Sequence, residues 1–476
     1  MTTTKLELTT RDGGTVEVSP SELDGLHRRL EGDVLRPGDD GWDEAITIWN
    51  AMVQTEPAIV VQPTSAADVA ATVGFARDTG ALLTIKCGGH NIAGTSVADG
   101  AVTIDMSRMR DVQVDAGVKL AHVGAGCRLA DVDAATQEHG LATTLGFISK
   151  TGVAGLTLGG GFGYLARRFG WAVDNLEEVE IVTADGEVRT ANRDRHEDLF
   201  WAVRGGSGNF GVVTRFTFRL HEVGPMITGG LKIFGADRAD EILDAYLDIT
   251  AEAPRELTAA LMIRLAPPAP FVPEEWRLKP VVGVLVCYTG DDPDTDLAAI
   301  RALGDPVVDM IGEHPYTVQQ SMLDDMDPDG LCQYWKAEFL SELTDDYLQT
   351  WKDAALKQTS PLSFSVVFPL GGAINDRAHD DGAVGNRDAR FITGFSGVWP
   401  PNEPASKHVT WIRESWEAIR PFGTGGNYVN FQLADDDDTR TRGAYGRNFK
   451  RLQEVKATYD PDNVFRANRN ISPAEA

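Results

Sequence analysis

Residues 152–163 read Gly-Val-Ala-Gly-Leu-Thr-Leu-Gly-Gly-Gly-Phe-Gly, and they decide how the rest of the chain is read. Glycine weakens helix and strand alike, so core packing does not account for such density inside an apolar segment. The stretch calls for a large flat ligand or for backbone packed closely on backbone. A nicotinamide fingerprint fits poorly, because it follows the first strand, leads into a helix and carries an acidic residue ~20 positions on. This stretch lies mid-chain with another spacing. Two further glycine loops stand on either side of it. Lys86-Cys87-Gly88-Gly89-His90-Asn91 follows a short apolar strand at residues 82–85. Paired glycines at a strand end let the backbone approach a ligand, and their free N–H groups can cradle a pyrophosphate. Read alone, the hexamer is equally a tight turn with an incidental histidine. Residues 198–214 carry Gly205-Gly206-Ser207-Gly208 and Gly211 into another strand.

Outward from these loops the periodicity gives short strands at residues 58–61, 82–85, 102–105 and 121–125, with a Ser/Thr-capped helix opening at Thr64-Ser65. A helix at 129–139 is closed by Gly140. Strands at 179–183 and 210–220 follow, with a hairpin turn at Asp185-Gly186. Beyond Val223-Gly224-Pro225 the pattern becomes long strands (281–288, 364–368, 391–395) and amphipathic helices (239–251, 294–303, 405–419), the mixture of an α+β unit on one antiparallel sheet. A last helix from Tyr445 precedes the turn Tyr459-Asp460-Pro461-Asp462-Asn463. Residues 1–38 alternate weakly and read as an N-terminal extension.

The 476 residues carry 71 acidic and 44 basic side chains, a net charge of −27. That excludes a general nucleic-acid binder, which needs a basic footprint, and docking on anionic lipid. Runs at Asp324–Asp325, Asp380–Asp381 and Asp435 to Asp438 fit the surface of a protein from a high-salt cytoplasm, or an acidic bias of composition. No stretch approaches the ~18 uninterrupted apolar residues of a membrane span, and the first residues lack the apolar core of a secretory signal. Cys87, Cys127, Cys287 and Cys332 form no C-x-x-C pair or zinc spacing and read as buried thiols of a reducing cytoplasm. Asp376, His379 and Asp380 read as a solvated loop, so no metal is expected.

In this order and spacing, the three glycine segments closely resemble the FAD-linked oxidases of the vanillyl-alcohol oxidase / p-cresol methylhydroxylase superfamily. Tyr459 to Phe465 is similar to the closing motif of the berberine bridge enzyme branch. Trp42 to Trp49, the Gly-Gly-His-Asn loop and Phe465 to Ile471 look nearest to the bacterial 6-hydroxy-nicotine oxidases. The resemblance covers residues 40–476. It implies an α+β fold with a two-subdomain FAD-binding domain (39–224), an α+β substrate domain with an antiparallel sheet (225–427), and a C-terminal segment (428–476) returning to the FAD domain. It implies a bond from His90 to the flavin 8α-methyl. Many members add a second link through Cys in a C-P-T-V-G segment. Here the chain reads Ile148-Ser149-Lys150-Thr151-Gly152, so the implied FAD tether is through His90 only. Lys86 stands where the family more often has Arg. The implied cofactor-binding set is Lys86, Gly88, Gly89, His90, Asn91, Gly94, Thr151, Gly152, Gly155, Gly159, Gly160, Gly161, Gly163, Val213 and Asn468.

A flavin oxidase must hold a donor C–H near flavin N5 and deal with the proton on the neighbouring heteroatom. Hydroxyl-oxidising relatives use a Tyr in a motif like Y-x-N-Y. This chain reads Tyr428-Val429-Asn430-Phe431, and Phe431 cannot take a proton. Tyr428 and Asn430 remain as candidate catalytic groups, with Gln432 on the opposite side if the segment is a strand. Core packing is the plain alternative for Tyr428 and Trp335. The reading is therefore a cytoplasmic FAD-dependent oxidase acting on a small organic donor, an amine or nitrogen heterocycle favoured, with electrons passing to O2 to give H2O2. Alternatives are an alcohol or carbohydrate oxidase, and a flavin dehydrogenase using another acceptor, since Thr151 stands where the family often has Val. A nicotinamide dehydrogenase and a flavin-storage protein are the more distant rivals. Substrate identity and oligomeric state are not legible.

Overall fold

The computed structural model describes residues 5–475; residues 1–4 of the N-terminal stretch and residue 476 lie outside them. Three sheets position the site. The smallest pairs Ile59–Gln62, Val102–Asp105 and Leu83–Lys86 in parallel, with Asp33–Leu35 antiparallel at its edge. Its central strands are apolar runs rather than alternating ones, because parallel strands are covered on both faces. The helix Ala66–Thr79 begins where the Ser65 hydroxyl accepts from the Asp68 N–H at 3.2 Å and stops at Gly80 with φ 73°. The second sheet is antiparallel, in the order Val188–Asn192, Leu176–Val182, Val212–Arg219, Leu120–Gly124, Val112–Asp115.

The N-terminal residues are packed rather than extended from the body. Leu6–Thr9 and Thr15–Val18 pair as a hairpin, and the Thr9 N–H donates to the Gly100 carbonyl at 2.8 Å. Leu8, Val18, Leu23 and Leu26 are buried in the same core as the parallel sheet. The alternation here is weak because each strand is four residues long and buries only part of one side.

The third sheet has eight strands, all antiparallel. Met226–Gly235, Pro280–Tyr288, Leu257–Leu265, Phe364–Pro369, Phe391–Trp399 and Cys332–Leu340 follow one another across it. Helices Ala239–Glu252, Asp345–Ala355 and Ser406–Ile419 pack on one face through Tyr246, Trp351, Trp411 and Ile412. Period-two alternation sends Val367 to that helical side and Val366 and Phe368 to the other, where the sheet faces the glycine loops. The helix expected at 294–303 is two short pieces, Pro293–Asp296 and Ala298–Arg301. Among the described residues no helix is long and apolar enough to cross a membrane.

The aspartate runs are more engaged than a solvated surface. Asp324 accepts from the Ser149 N–H at 2.8 Å and from its hydroxyl at 2.5 Å. Asp435 accepts from Tyr334, Lys336 and Arg413, Asp436 from Lys336, and Asp437 caps the helix Asp438–Tyr445. Burial pushes the Asp435 carboxyl up, but its bonds from Tyr334 and Arg413 and the Lys336 ammonium outweigh that and hold it at about 2. Asp381 meets Arg193, Arg204 and Arg377. Charge counted along a sequence does not distinguish such partnered groups from free ones.

Candidate functional site

A cavity of 260 Å³ opens between the glycine loops and the bare face of the eight-stranded sheet. The strand Leu83–Lys86 delivers Cys87 to Asn91 to one wall, and Phe147 to Gly155 forms the neighbouring wall. The two loops meet backbone to backbone: a Cβ on Gly88 would lie 2.7 Å from Gly152 Cα, and one on Gly152 would lie 2.5 Å from Gly88 N. Phe364, Val366 and Phe368 roof the cavity, and Tyr428, Asn430 and Phe431 close its end.

His90 is 13% exposed at its side chain. Its ring stacks on Trp49, with centroids 5.1 Å apart and planes 14° apart, and the Trp49 backbone N–H donates to Gly89 O at 3.1 Å. Burial drives its imidazole down to about 4, so the ring is neutral at pH 7. His90 Nδ1 lies 3.8 Å from Asp327 Oδ2, and the buried Asp327 Oδ1 has no partner. Burial, reinforced by Asp329, pushes the Asp327 carboxyl up to about 8.

At the far end, Val429–Phe431 is a 3₁₀ turn, not a strand. This corrects the period-two reading of Gln432: residues three apart eclipse in such a turn, so Tyr428 and Phe431 face the same cavity. Gln432 turns instead to Asn427 and the Arg440 carbonyl. The Tyr428 hydroxyl oxygen accepts from Gly161 N–H at 3.0 Å and from the Asn430 amide at 3.0 Å. Burial raises its phenol well above the ordinary value. Asn430 also donates to Leu156 O at 3.1 Å, and it fits only because Gly159 has no Cβ, which would stand 2.5 Å from its amide carbon. An aromatic chain runs from His90 through Trp49, Trp335 and Phe431 to Tyr428, each neighbour in contact.

Of the residues singled out from sequence, Gly88, Gly89, His90, Asn91, Thr151, Gly152, Gly155, Tyr428 and Asn430 share this cavity. Gly159 to Gly161 lie behind Asn430 and Tyr428, and Gly163 packs on the Leu145 and Gly146 carbonyls. Lys86 stands apart from the cavity, donating to Glu44 O at 3.1 Å and lying 3.9 Å from Asp105. Gly94 packs against Val53, and Val213 sits within the second sheet paired with Ile181. Asn468 binds the Gly208 carbonyl at 3.2 Å, away from the cavity wall. Sequence reasoning passed over Asp327, two residues beyond the Asp324–Asp325 run read as acidic surface, and gave no role to Trp49. Their only sequence signals were an aspartate between Met326 and Pro328 and a tryptophan next to Asn50.

Comparison with known proteins bears on the cofactor. Residues 57–192 match the family described as FAD binding domain, and residues 427–472 match the family described as berberine and berberine like. The structure of 6-hydroxy-D-nicotine oxidase from Arthrobacter nicotinovorans superimposes with a TM-score of 0.84 at 27% identity, covering 94% of this chain and 98% of that one.

The chain is an FAD-linked oxidoreductase with the fold of the berberine-bridge-like proteins.

Among its relatives, the (R)-6-hydroxynicotine oxidase of Paenarthrobacter nicotinovorans is 29% identical over 461 residues, covering 93% of this chain and 97% of that protein. An FAD-linked oxidoreductase of Dictyostelium discoideum is 29% identical over 453 residues, covering 94% and 96%. A chitooligosaccharide oxidase shares the fold, with a TM-score of 0.84 at 22% identity. The residues present fit the family's flavin. Loops whose close approach tolerates no Cβ flank an apolar, aromatic-walled cavity. On the cavity wall the buried Trp335 Nε1 has no protein partner and is available to a polar atom of the flavin.

Proposed function

We propose that this oxidoreductase is an oxidase that removes a hydride from a carbon next to nitrogen in a small amine or nitrogen heterocycle. In this reading O2 is the final acceptor, H2O2 the product, and FAD is held through His90 alone. Bound there, FAD supplies the two-electron acceptor; the chain supplies the pocket, the orientation and the handling of protons.

The observation that carries the donor class is the Tyr428–Phe431 turn. Phe431 offers no proton acceptor. Tyr428 already receives two hydrogen bonds, so its oxygen is occupied and its own proton is what it can offer: it orients a donor rather than deprotonating it. Lys336, also on the cavity wall, is held by Asp435 and Asp436. A neutral amine gives hydride without losing a proton first, whereas an alcohol wants a base worth about 10²–10⁴-fold in rate. The Phe364, Val366 and Phe368 roof favours an apolar ring and keeps water from the reacting carbon.

The single tether is supported by the thiols. Ile148 fills the wall where a second link would start. Cys87 and Cys127 are both pushed up to about 12 by burial, and Cys127 Sγ donates to Asp111 O at 3.4 Å. Thiolate is the reactive form, so neither competes with the neutral His90. The four unpaired cysteines support a cytoplasmic setting. The contacts of Tyr428 with Gly161 and of Asn468 with Gly208 support grouping residues 428–476 with 39–224 around the cofactor, and 225–427 as the substrate part.

Anaerobic mixing with a panel of amines, nitrogen heterocycles, phenols and sugars tests the donor class. Bleaching of the yellow band should be fastest with secondary or cyclic amines, and its rate should rise with pH through the amine's own pKa. Fast bleaching by an aldose, abolished by Tyr428→Phe, overturns it. Thr151 at the cavity wall favours one second reading, a dehydrogenase. Turnover that needs an artificial acceptor and yields no H2O2 in air selects it.

A further inference from the structure

The loop Met322 to Gly330 carries four aspartates, of which Asp327 lines the cavity, and the surroundings of three of them differ. Asp324 is taken by Ser149. Asp329 lies 3.9 Å from Lys150, with 61% of its side chain exposed. Asp327 alone is buried, 5% exposed at its side chain, with one oxygen unpartnered and the other directed at His90 Nδ1. A buried carboxyl without a partner is costly, and His90 itself is held in place by the Trp49 stack.

We propose that Asp327 is the positioning residue for the His90–flavin bond, orienting the imidazole and taking its proton as the ring nitrogen bonds to the 8α-carbon. This rests on the single-tether reading above. A neutral imidazole has one lone pair and one N–H. Bonding through the lone pair makes the ring cationic unless the N–H proton leaves, and this buried site disfavours the cation, as the drop of His90 to about 4 reflects. Asp327 receives that proton as the carboxylate; burial and Asp329 push its carboxyl up to about 8, so the bond should form faster as pH rises through that range. The balance closes with O2 as oxidant. One C–H bond of the 8α-methyl and one imidazole N–H bond break, the C–N bond forms, and the two electrons and two protons leave as H2O2.

The test compares wild type, His90→Ala, Asp327→Asn, Asp327→Glu and Asp327→Ala as purified and after aerobic incubation with FAD. Total bound flavin, acid-precipitable flavin and intact-chain mass are followed over time. Wild type should carry acid-stable flavin, and His90→Ala should release all of it into the supernatant. Asp327→Asn should bind FAD yet form the covalent bond about 10²-fold or more slowly, in the range of positioned proton transfer. Asp327→Glu should recover part of the rate, and acetate or formate should accelerate Asp327→Ala, a rescue that a purely structural role does not produce. If Asp327→Asn folds poorly, the Glu variant and the acetate arm decide. A colourless wild-type pellet overturns the tether and this proposal together. A covalent wild type with Asp327→Asn at the same rate, or no carboxylate rescue, overturns the role of Asp327 alone.

Discussion

Gly88→Ala and Gly155→Ala are the same chemical change at two walls of one cavity, and the structure assigns them opposite effects on the fold. At Gly88 a methyl would stand 2.7 Å from Gly152 Cα, against the ordinary ~3.5–4.0 Å between carbon atoms. The obstacle is backbone, and that backbone is tied on its far side: Leu129 N–H donates to Thr151 O at 3.0 Å and Val153 N–H to Cys127 O at 2.9 Å. The loops must part by about 1 Å, an overpacking that costs about 1–3 kcal/mol, offset by about 0.4–1 kcal/mol from a stiffer unfolded chain. At roughly 2–4 °C per kcal/mol for a cooperative unit of 150–250 residues, melting should fall by several degrees. Gly155 sits inside the helix Val153–Leu158 with open space where its Cβ would be. There Ala should stabilise the helix by about 0.5–1 kcal/mol, while its methyl enters the cavity and lowers flavin loading. Melting curves of flavin-free and flavin-loaded protein, with loading read from the visible absorbance, separate the two terms. A Gly88→Ala protein that melts with wild type, or a Gly155→Ala protein whose flavin-free form melts well below it, refutes the reasoning.

The closing turn should be a stability element. Asp460 is fully buried, receives Lys456 at 2.6 Å and the Val464 and Phe465 N–H groups, and Lys456 also donates to Asn209 O. Asp460→Asn leaves a buried ammonium without its counter-charge and should cost about 3–5 kcal/mol, measured by denaturant midpoint. Tyr428→Phe strips the Gly161 N–H of its acceptor and should cost about 1–3 kcal/mol of stability. Phe431→Tyr should leave the pH profile of amine oxidation unchanged; a new ionisation in that profile would show that position 431 handles protons. Melting temperature should climb between low salt and 1 M KCl as the Debye length falls from ~10 Å at 0.1 M to ~3 Å. A flat curve would mean that pairs such as those of Asp381 and Asp435 already balance the excess of acid.

Much of the site was legible because it is written locally. The two glycines before His90, the isoleucine at position 148 and the phenylalanine at position 431 are departures or fits within a few consecutive residues, and each bears on what the position can do. The Tyr428–Phe431 segment shows the limit of that reading. Its alternating residue types fit a strand, yet among the described residues it pairs with no strand and the chain closes into a 3₁₀ turn that brings residues 428 and 431 together. The helix at 294–303 fails similarly, since Leu297 adopts φ −100° and ψ 4° and interrupts it.

The chain's order of glycine loops, its capped helices, its long strands after residue 225 and the resemblance they carry are properties of neighbours in sequence, where steric freedom and periodicity act directly. Which acids are surface and which are machinery is a different kind of fact. Asp324, Asp327 and Asp329 are alike in sequence. One binds a serine loop, one faces a buried histidine and one sits half in solvent beside a lysine. Their protonation and their use depend on what the fold removes from water and what it places beside each carboxyl. Only the packing of residues 322–330 against residues 49 and 90 decides that.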